Sequence, residues 1–188
     1  MWHQGRQRAI EVKDGLDEPM NELERWANFY LVTSAAAATL IGLLFVIITL
    51  GAERGVEDAT VKIRMYLTPT VVYFASILLL AALLTFPNHN RLTATLCICL
   101  AGALGLLYSG TTLIGGGNKK SFGERNDRIS YAIIPFAAYG LLVSGGVLLF
   151  YHPQAGLTLV AVGMLSLLTL GIRNSWAIAI DVSTRPRR

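Results

Sequence analysis

"RWANFYLVTSAAAATLIGLLFVIITLGAER" (residues 25–54) runs from Arg25 to Glu53 with 27 uncharged residues between them. A helix on the surface of a soluble protein alternates its faces, so charges recur along it every few residues. This stretch has no polar face. At 1.5 Å per residue it is long enough, as a helix, to cross a hydrocarbon layer of ~30 Å, which takes ~20 apolar residues. The solvent it is written for is lipid.

The rest of the chain is built the same way. Of 188 residues, 53% are hydrophobic and 15% charged, against roughly a quarter charged in an ordinary globular protein. The charges are segregated into residues 6–25, 53–64, 91, 119–128, 173 and 181–188. Between them lie Phe29–Ala52, Met65–Asn90, Leu92–Asn118 and Ile129–Ile172, with a short continuation to Ile180. The fourth stretch is too long for one crossing and is broken by "YHPQAG" (Tyr151–Gly156), a polar turn with Pro153 and Gly156. Five spans result: about 28–51, 66–86, 91–114, 130–150 and 156–180. In lipid each backbone amide must be satisfied within its own segment, so the spans are helices. The ~10-residue alternation of an outer-membrane barrel is absent. The fold class expected is an all-α polytopic transmembrane helical bundle.

Around the membrane domain of residues 26–180 stand a polar segment, 1–25, and a basic tail, 181–188. The first span begins too late, and follows too many acids, to be a cleaved signal. In "DEPMNELERW" Asp17 and Pro19 read as a short helix start, with residues up to Trp26 lying along the membrane surface. Lys and Arg flanking the spans are unevenly divided. Arg54, Lys62, Arg64, Lys119, Lys120, Arg125, Arg128, Arg185, Arg187 and Arg188 lie on one side; Arg6, Arg8, Lys13, Arg25 and Arg91 lie on the other. The positive-inside rule then places the N-terminus outside and the C-terminus in the cytoplasm of a bacterial cytoplasmic (inner) membrane. The basic loops would meet anionic lipid headgroups, and nothing points to nucleic acid.

Two hairpin sequences match. Arg64–Thr93 and Arg128–Thr158 each carry Pro-x-x-x-Tyr (Pro69/Tyr73, Pro135/Tyr139), a Leu-Leu pair, a turn with Pro and His, and Leu-Thr. A 2+2 repeat with an added first helix would have this form. Pro69 falls near the start of its span, where the missing N–H has no cost. Pro135 falls a turn or more inside its span, where it would bend the helix.

Ionisable groups inside a membrane are the first place to look for chemistry. The interiors of spans one to four hold none. That argues against a proton relay, a protease dyad, haem ligation within the bundle and a voltage sensor. The exception is "GIRNSWAIAID" (Gly171–Asp181). There Arg173 either snorkels to headgroups or turns inward with Asn174 to meet carbonyls or the loop acids Glu57, Asp58, Glu124 and Asp127. Trp26, Tyr30 and Trp176 read as interface anchors. Cys97 and Cys99, two apart on a helix, point to nearly opposite sides and read as apolar filler. Gly115–Gly117 end a helix and do not make a phosphate loop, since G-x-x-x-x-G-K-[ST] is not matched. The sequence names no catalytic residue, cofactor or metal ligand.

Small residues mark helix contacts in lipid. Ser34/Ala38/Gly42 form one ladder and Cys97/Ala101/Gly105/Ser109 another, each packing either inside the protomer or against a neighbour. The hydroxyls of Thr33, Ser34, Thr39, Ser109, Thr111 and Thr112 either line a polar path or bond back to their own helices.

Trp26-x-x-Phe29-Tyr30, Ala36-Ala37-x-x-Leu40-x-Gly42-Leu43-x-Phe45-Val46, Thr68-Pro69-Thr70-Val71-Val72 and Gly171-Ile172-Arg173-Asn174-x-Trp176 resemble a family of small bacterial integral membrane proteins with five spans and no assigned activity. The likeness covers spans one, two and five, and extends to three and four in hydropathy. It implies topology more than mechanism. Where many members carry an acid after the Trp, this chain has Ala177. The function expected is non-enzymatic: an accessory or scaffold subunit acting through helix packing, in a homo-oligomer or a larger membrane complex. The alternatives are a channel or carrier for a small neutral solute or lipid, and an enzyme using Arg173 and Asn174 on a lipid headgroup.

Overall fold

The computed structural model describes residues 2–53, 59–86, 90–115 and 133–184, with side chains placed in 25–50, 67–86, 90–111, 133–180 and at Ser183. Arg54, Lys119, Lys120, Arg125, Arg128, the loop acids Glu57, Asp58, Glu124 and Asp127, the turn residues Pro87 and His89, and the tail 185–188 lie outside the described residues. Five helices make up the described chain: α1 (Trp2–Glu53), α2 (Ala59–Thr85), α3 (Arg91–Gly115), α4 (Ile134–Tyr151) and α5 (Pro153–Thr184). Each holds a segment long and apolar enough to cross a membrane: Arg25–Leu50, Leu67–Thr85, Arg91–Thr111, Ile134–Tyr151 and Pro153–Ile180. The protein is an all-α bundle of multi-pass membrane character.

In space α1 lies against α2, α2 against α5, α5 against α4, and α4 against α3, with a lesser contact between α1 and α5. α5 is the central helix: half of its most apolar window is buried, against 17% for α1 at the edge. The contact between α4 and α5 is the most extensive in the bundle, whereas α2 and α3 barely touch. The two matched hairpins are therefore not packed alike. They meet instead through their motif tyrosines, as described below.

Lipid supplies no hydrophobic drive for helices to associate, so close backbone approach has to hold them. Glycines provide it at α3–α4, α4–α5 and α2–α5. A Cβ on Gly105 of α3 would fall 2.0 Å from the Tyr139 ring of α4. One on Gly146 of α4 would fall 2.8 Å from the Cys99 sulfur of α3. One on Gly156 of α5 would lie 2.5 Å from the Leu149 backbone nitrogen of α4, and one on Gly171 would lie 2.4 Å from the Phe74 ring of α2.

The α4–α5 hairpin turns on a single non-helical residue, His152. Its amide donates to the Leu148 carbonyl at 2.7 Å, and its carbonyl accepts from Gly156 N–H at 2.9 Å. Pro153 then opens α5, where a missing N–H has no intrahelical partner to lose. Arg91, first residue of α3, donates from Nη1 to the Phe150 carbonyl at 3.4 Å, a cation on the negative end of α4.

Pro69 does not take the place expected of it. α2 begins at Ala59, so Pro69 stands inside it and removes one rung of its hydrogen-bond ladder. Pro135 stands in the first turn of α4, directly after the π-helical Ile133. The bend expected at Pro135 would fall at this join, and the chain before Ile133 lies outside the described residues. Asp17 and Pro19 do not start a helix, because α1 is already helical from Trp2. The helix passes through Pro19 outside the membrane-spanning segment, where water can serve the freed carbonyl.

Gly156→Ala should lower the thermal midpoint in detergent, since the added methyl meets backbone and forces the two helices apart at a cost of ~1–3 kcal/mol. Gly140→Ala, where nothing lies within 4 Å, should leave it unchanged or slightly higher. A fluorescence-monitored melt compares the two.

Candidate functional site

The inward face of α2 carries Thr70, Tyr73, Ile77 and Leu80, all buried, at the i, i+3, i+4 spacing of one helix side. From α4 comes Tyr139, fully buried, one turn after Pro135. The two Pro-x-x-x-Tyr tyrosines meet here, with ring centroids 6.4 Å apart and planes inclined at 57°. Tyr139 Oη lies 3.0 Å from Ser76 Oγ and is the donor of that bond when the single Ser76 proton is on the Val72 carbonyl. Ser76 Oγ donates to that carbonyl at 2.7 Å. Gly105 leaves the space the Tyr139 ring fills. Sequence reasoning noted these tyrosines only as marks of a repeat. The shared Pro-x-x-x-Tyr spacing was the available signal that they belong together.

Asn174 lies on the same half of the bundle. α2 and α5 run antiparallel, with Gly171 against Phe74. One turn nearer the same membrane face come Thr70 on α2 and Asn174 on α5. Both are buried, Asn174 to 1% exposure. Its Oδ1 and Nδ2 have no hydrogen-bond partner among the described residues. A buried amide left in this state costs ~1–3 kcal/mol, so nothing about packing alone calls for an asparagine here.

Arg173 points elsewhere. It is exposed and lines a groove of about 440 Å³ on the outer side of α4 and α5, with Ile134, Val162, Leu165, Ser166, Thr169 and Leu170. The arginine and the asparagine, adjacent in sequence, therefore do not act on one point. Trp176, a turn beyond Arg173, is 69% exposed.

Tyr30 is not an exposed anchor. It is fully buried in the core, on the α1 face that also buries Thr33, Ala37 and Leu44. Its ring lies 5.5 Å from Phe29 and 6.5 Å from Trp26. Trp26 itself is partly buried against the core. Trp and Tyr one turn apart looked alike in sequence, but the tyrosine falls on the inward stripe.

The two small-residue ladders part company. On α3, Gly105 and Ser109 are buried and Ala101 packs against the core. Cys99, beside this ladder, turns to α4 and donates weakly to the Val143 carbonyl at 3.9 Å. Both cysteines are free thiols. On α1, Ala38 and Gly42 are exposed, and nothing lies within 4 Å of where a Gly42 Cβ would be. Ser34 is half-buried. The exposed positions of the two central turns, Ala35, Ala38, Thr39 and Gly42, are all small. By contrast α3 shows lipid Leu92, Leu96, Leu100, Leu104 and Leu107.

Three of the six hydroxyls that the sequence offered for a polar path bond to their own helices. Thr33 donates to the Phe29 carbonyl, Thr39 to Ala35 at 2.8 Å and Thr111 to Tyr108 at 2.8 Å. Thr112 lies among the residues whose side chains are not placed.

Asn174→Leu should raise the thermal midpoint by about 2–4 °C, the shift that ~1 kcal/mol produces in a chain of this size. A fall of that size in a differential scanning measurement would mean that the amide is hydrogen-bonded in the protein as it stands in the membrane. No protein-family model matches the chain, and no curated protein and no solved structure matches it.

Proposed function

We propose that this is a non-enzymatic membrane protein that works by packing, as a scaffold or accessory subunit in a homo-oligomer or a larger membrane complex. One observation carries the reading: the middle of α1 turns a strip of small side chains, Ala35, Ala38, Thr39 and Gly42, away from its own bundle. A helix facing only lipid gains nothing from small residues there, while a helix facing another helix gains close approach. α1 is also the least buried of the five spans, so this face is open to a neighbour. The hydroxyl bonds back to their own helices weigh against a polar path for a solute.

The reading includes a place: a bacterial cytoplasmic membrane, with the N-terminus outside and the C-terminus inside, on the strength of the basic flanks. Kinship with the small five-span family rests on the motifs around Gly42 and Arg173 and belongs to the same proposal.

Ala38→Leu with Gly42→Leu tests the reading. Neither side chain meets its own bundle, so the thermal midpoint of the protomer should hold within about 2 °C, since surface changes stay within ~0.5 kcal/mol. On blue-native gels or by native mass spectrometry the wild type should run as an assembly and the double variant as a smaller one. A wild type that is strictly monomeric, with no co-purifying protein after mild extraction, would overturn the proposal.

A further inference from the structure

The groove beneath Arg173 has the length and lining to take one acyl chain, with a cation at its end. It starts at Val162 and ends at Arg173 on α5, eleven residues apart, or about 16 Å along the helix. Half of a ~30 Å hydrocarbon layer is about 15 Å. The groove thus runs from the bilayer midplane to one rim, the reach of a single acyl chain in one leaflet. Trp176, one turn past Arg173 and largely exposed, sits where aromatic side chains mark the headgroup level.

The wall is apolar in practice, although two hydroxyl residues belong to it. Ser166 Oγ donates to the Val162 carbonyl at 2.7 Å, and Thr169 Oγ1 donates to the Leu165 carbonyl at 2.8 Å. Their polar hydrogens are thereby used within α5. What remains facing the groove is methyl and methylene surface beside Ile134, Val162, Leu165 and Leu170. A hydrocarbon chain suits such a wall and a polar solute does not. Ser166, smaller than its neighbours, supplies the hollow.

Charge enters only at the rim. Arg173 makes other interactions as well, but a guanidinium has five donors and serves several acceptors at once. Its planar fork matches phosphate oxygens in pairs. We infer that the α4–α5 groove binds one anionic phospholipid, with an acyl chain along Val162–Leu170 and the headgroup phosphate on Arg173. This inference rests on the membrane-spanning fold and not on the assembly proposed above.

The test is native mass spectrometry of the full chain, delipidated in neutral detergent and titrated with phosphatidylglycerol or phosphatidylcholine. The wild type should retain phosphatidylglycerol in preference. Arg173→Gln should weaken phosphatidylglycerol roughly tenfold and leave phosphatidylcholine little changed. Arg173→Lys should keep part of the preference. Thr169→Phe, which fills the groove, should reduce retention of both lipids. Equal binding of the two lipids by the wild type would overturn the inference, as would unchanged phosphatidylglycerol binding by Arg173→Gln. Thr169→Phe that dissociates an oligomer without changing lipid retention would overturn it too, and would assign the groove to a second copy of the chain.

Discussion

Close approach of helix backbones is the constraint on which this structure depends. In water a bundle is held by taking apolar side chains away from solvent. In lipid the surroundings are as apolar as leucine, and that gain vanishes. What is left is contact at short range, and it requires the side chain to be missing. Gly146 and Gly105 bring α3 to α4, Gly156 brings α5 to α4, and Gly171 lets Phe74 of α2 seat against α5. The one-residue turn at His152 sets the register in which Gly156 meets Leu149. The bundle is organised around α4 and α5, and α1 is attached through α2 and, to a smaller extent, α5.

From that skeleton the polar features acquire their positions. Two tyrosines from sequence-matched helices meet at a tilted ring contact in one half of the core, and Ser76 of α2 holds the Tyr139 hydroxyl. Asn174 sits at the level of Thr70 with an amide that nothing described satisfies. Arg173, one residue away, turns outward to the exposed groove. A helix advances ~100° per residue, and here that step puts one neighbour in the core and the other on the surface. The outward strip on α1 and the groove on α4–α5 are two separate faces, and each has its own chemistry.

The sequence carried the spans well, because membrane helices are specified by length and by the absence of charge, and both can be counted. Their edges in the structure lie within a few residues of the expected ones, except where a helix runs on beyond the lipid, as α1 does back to Trp2 and α2 does back to Ala59. Past the membrane edge hydropathy is silent, and Pro19 was read as a beginning because prolines so often are. Facing was much less legible. Ser34/Ala38/Gly42 and Cys97/Ala101/Gly105/Ser109 have the same pattern, yet one turns largely outward and the other inward. Nothing in either ladder tells them apart, since the distinction belongs to the partner: Tyr139 stands against Gly105, and nothing stands against Gly42. Tyr30 was misread for the same reason. Its role as a core residue depends on which side of α1 meets α2 and α5, and that is a property of the bundle.

The account stands or falls on five crossings, an odd number that puts the two ends of the chain on opposite faces of the membrane. The direct measurement is reporter accessibility at both termini in intact cells, with epitope or cysteine-labelling tags placed before Met1 and after Arg188. With five crossings in the proposed orientation, the N-terminal tag is labelled from outside without permeabilisation, and the C-terminal tag only after it. Labelling of both tags under the same condition would contradict the five crossings.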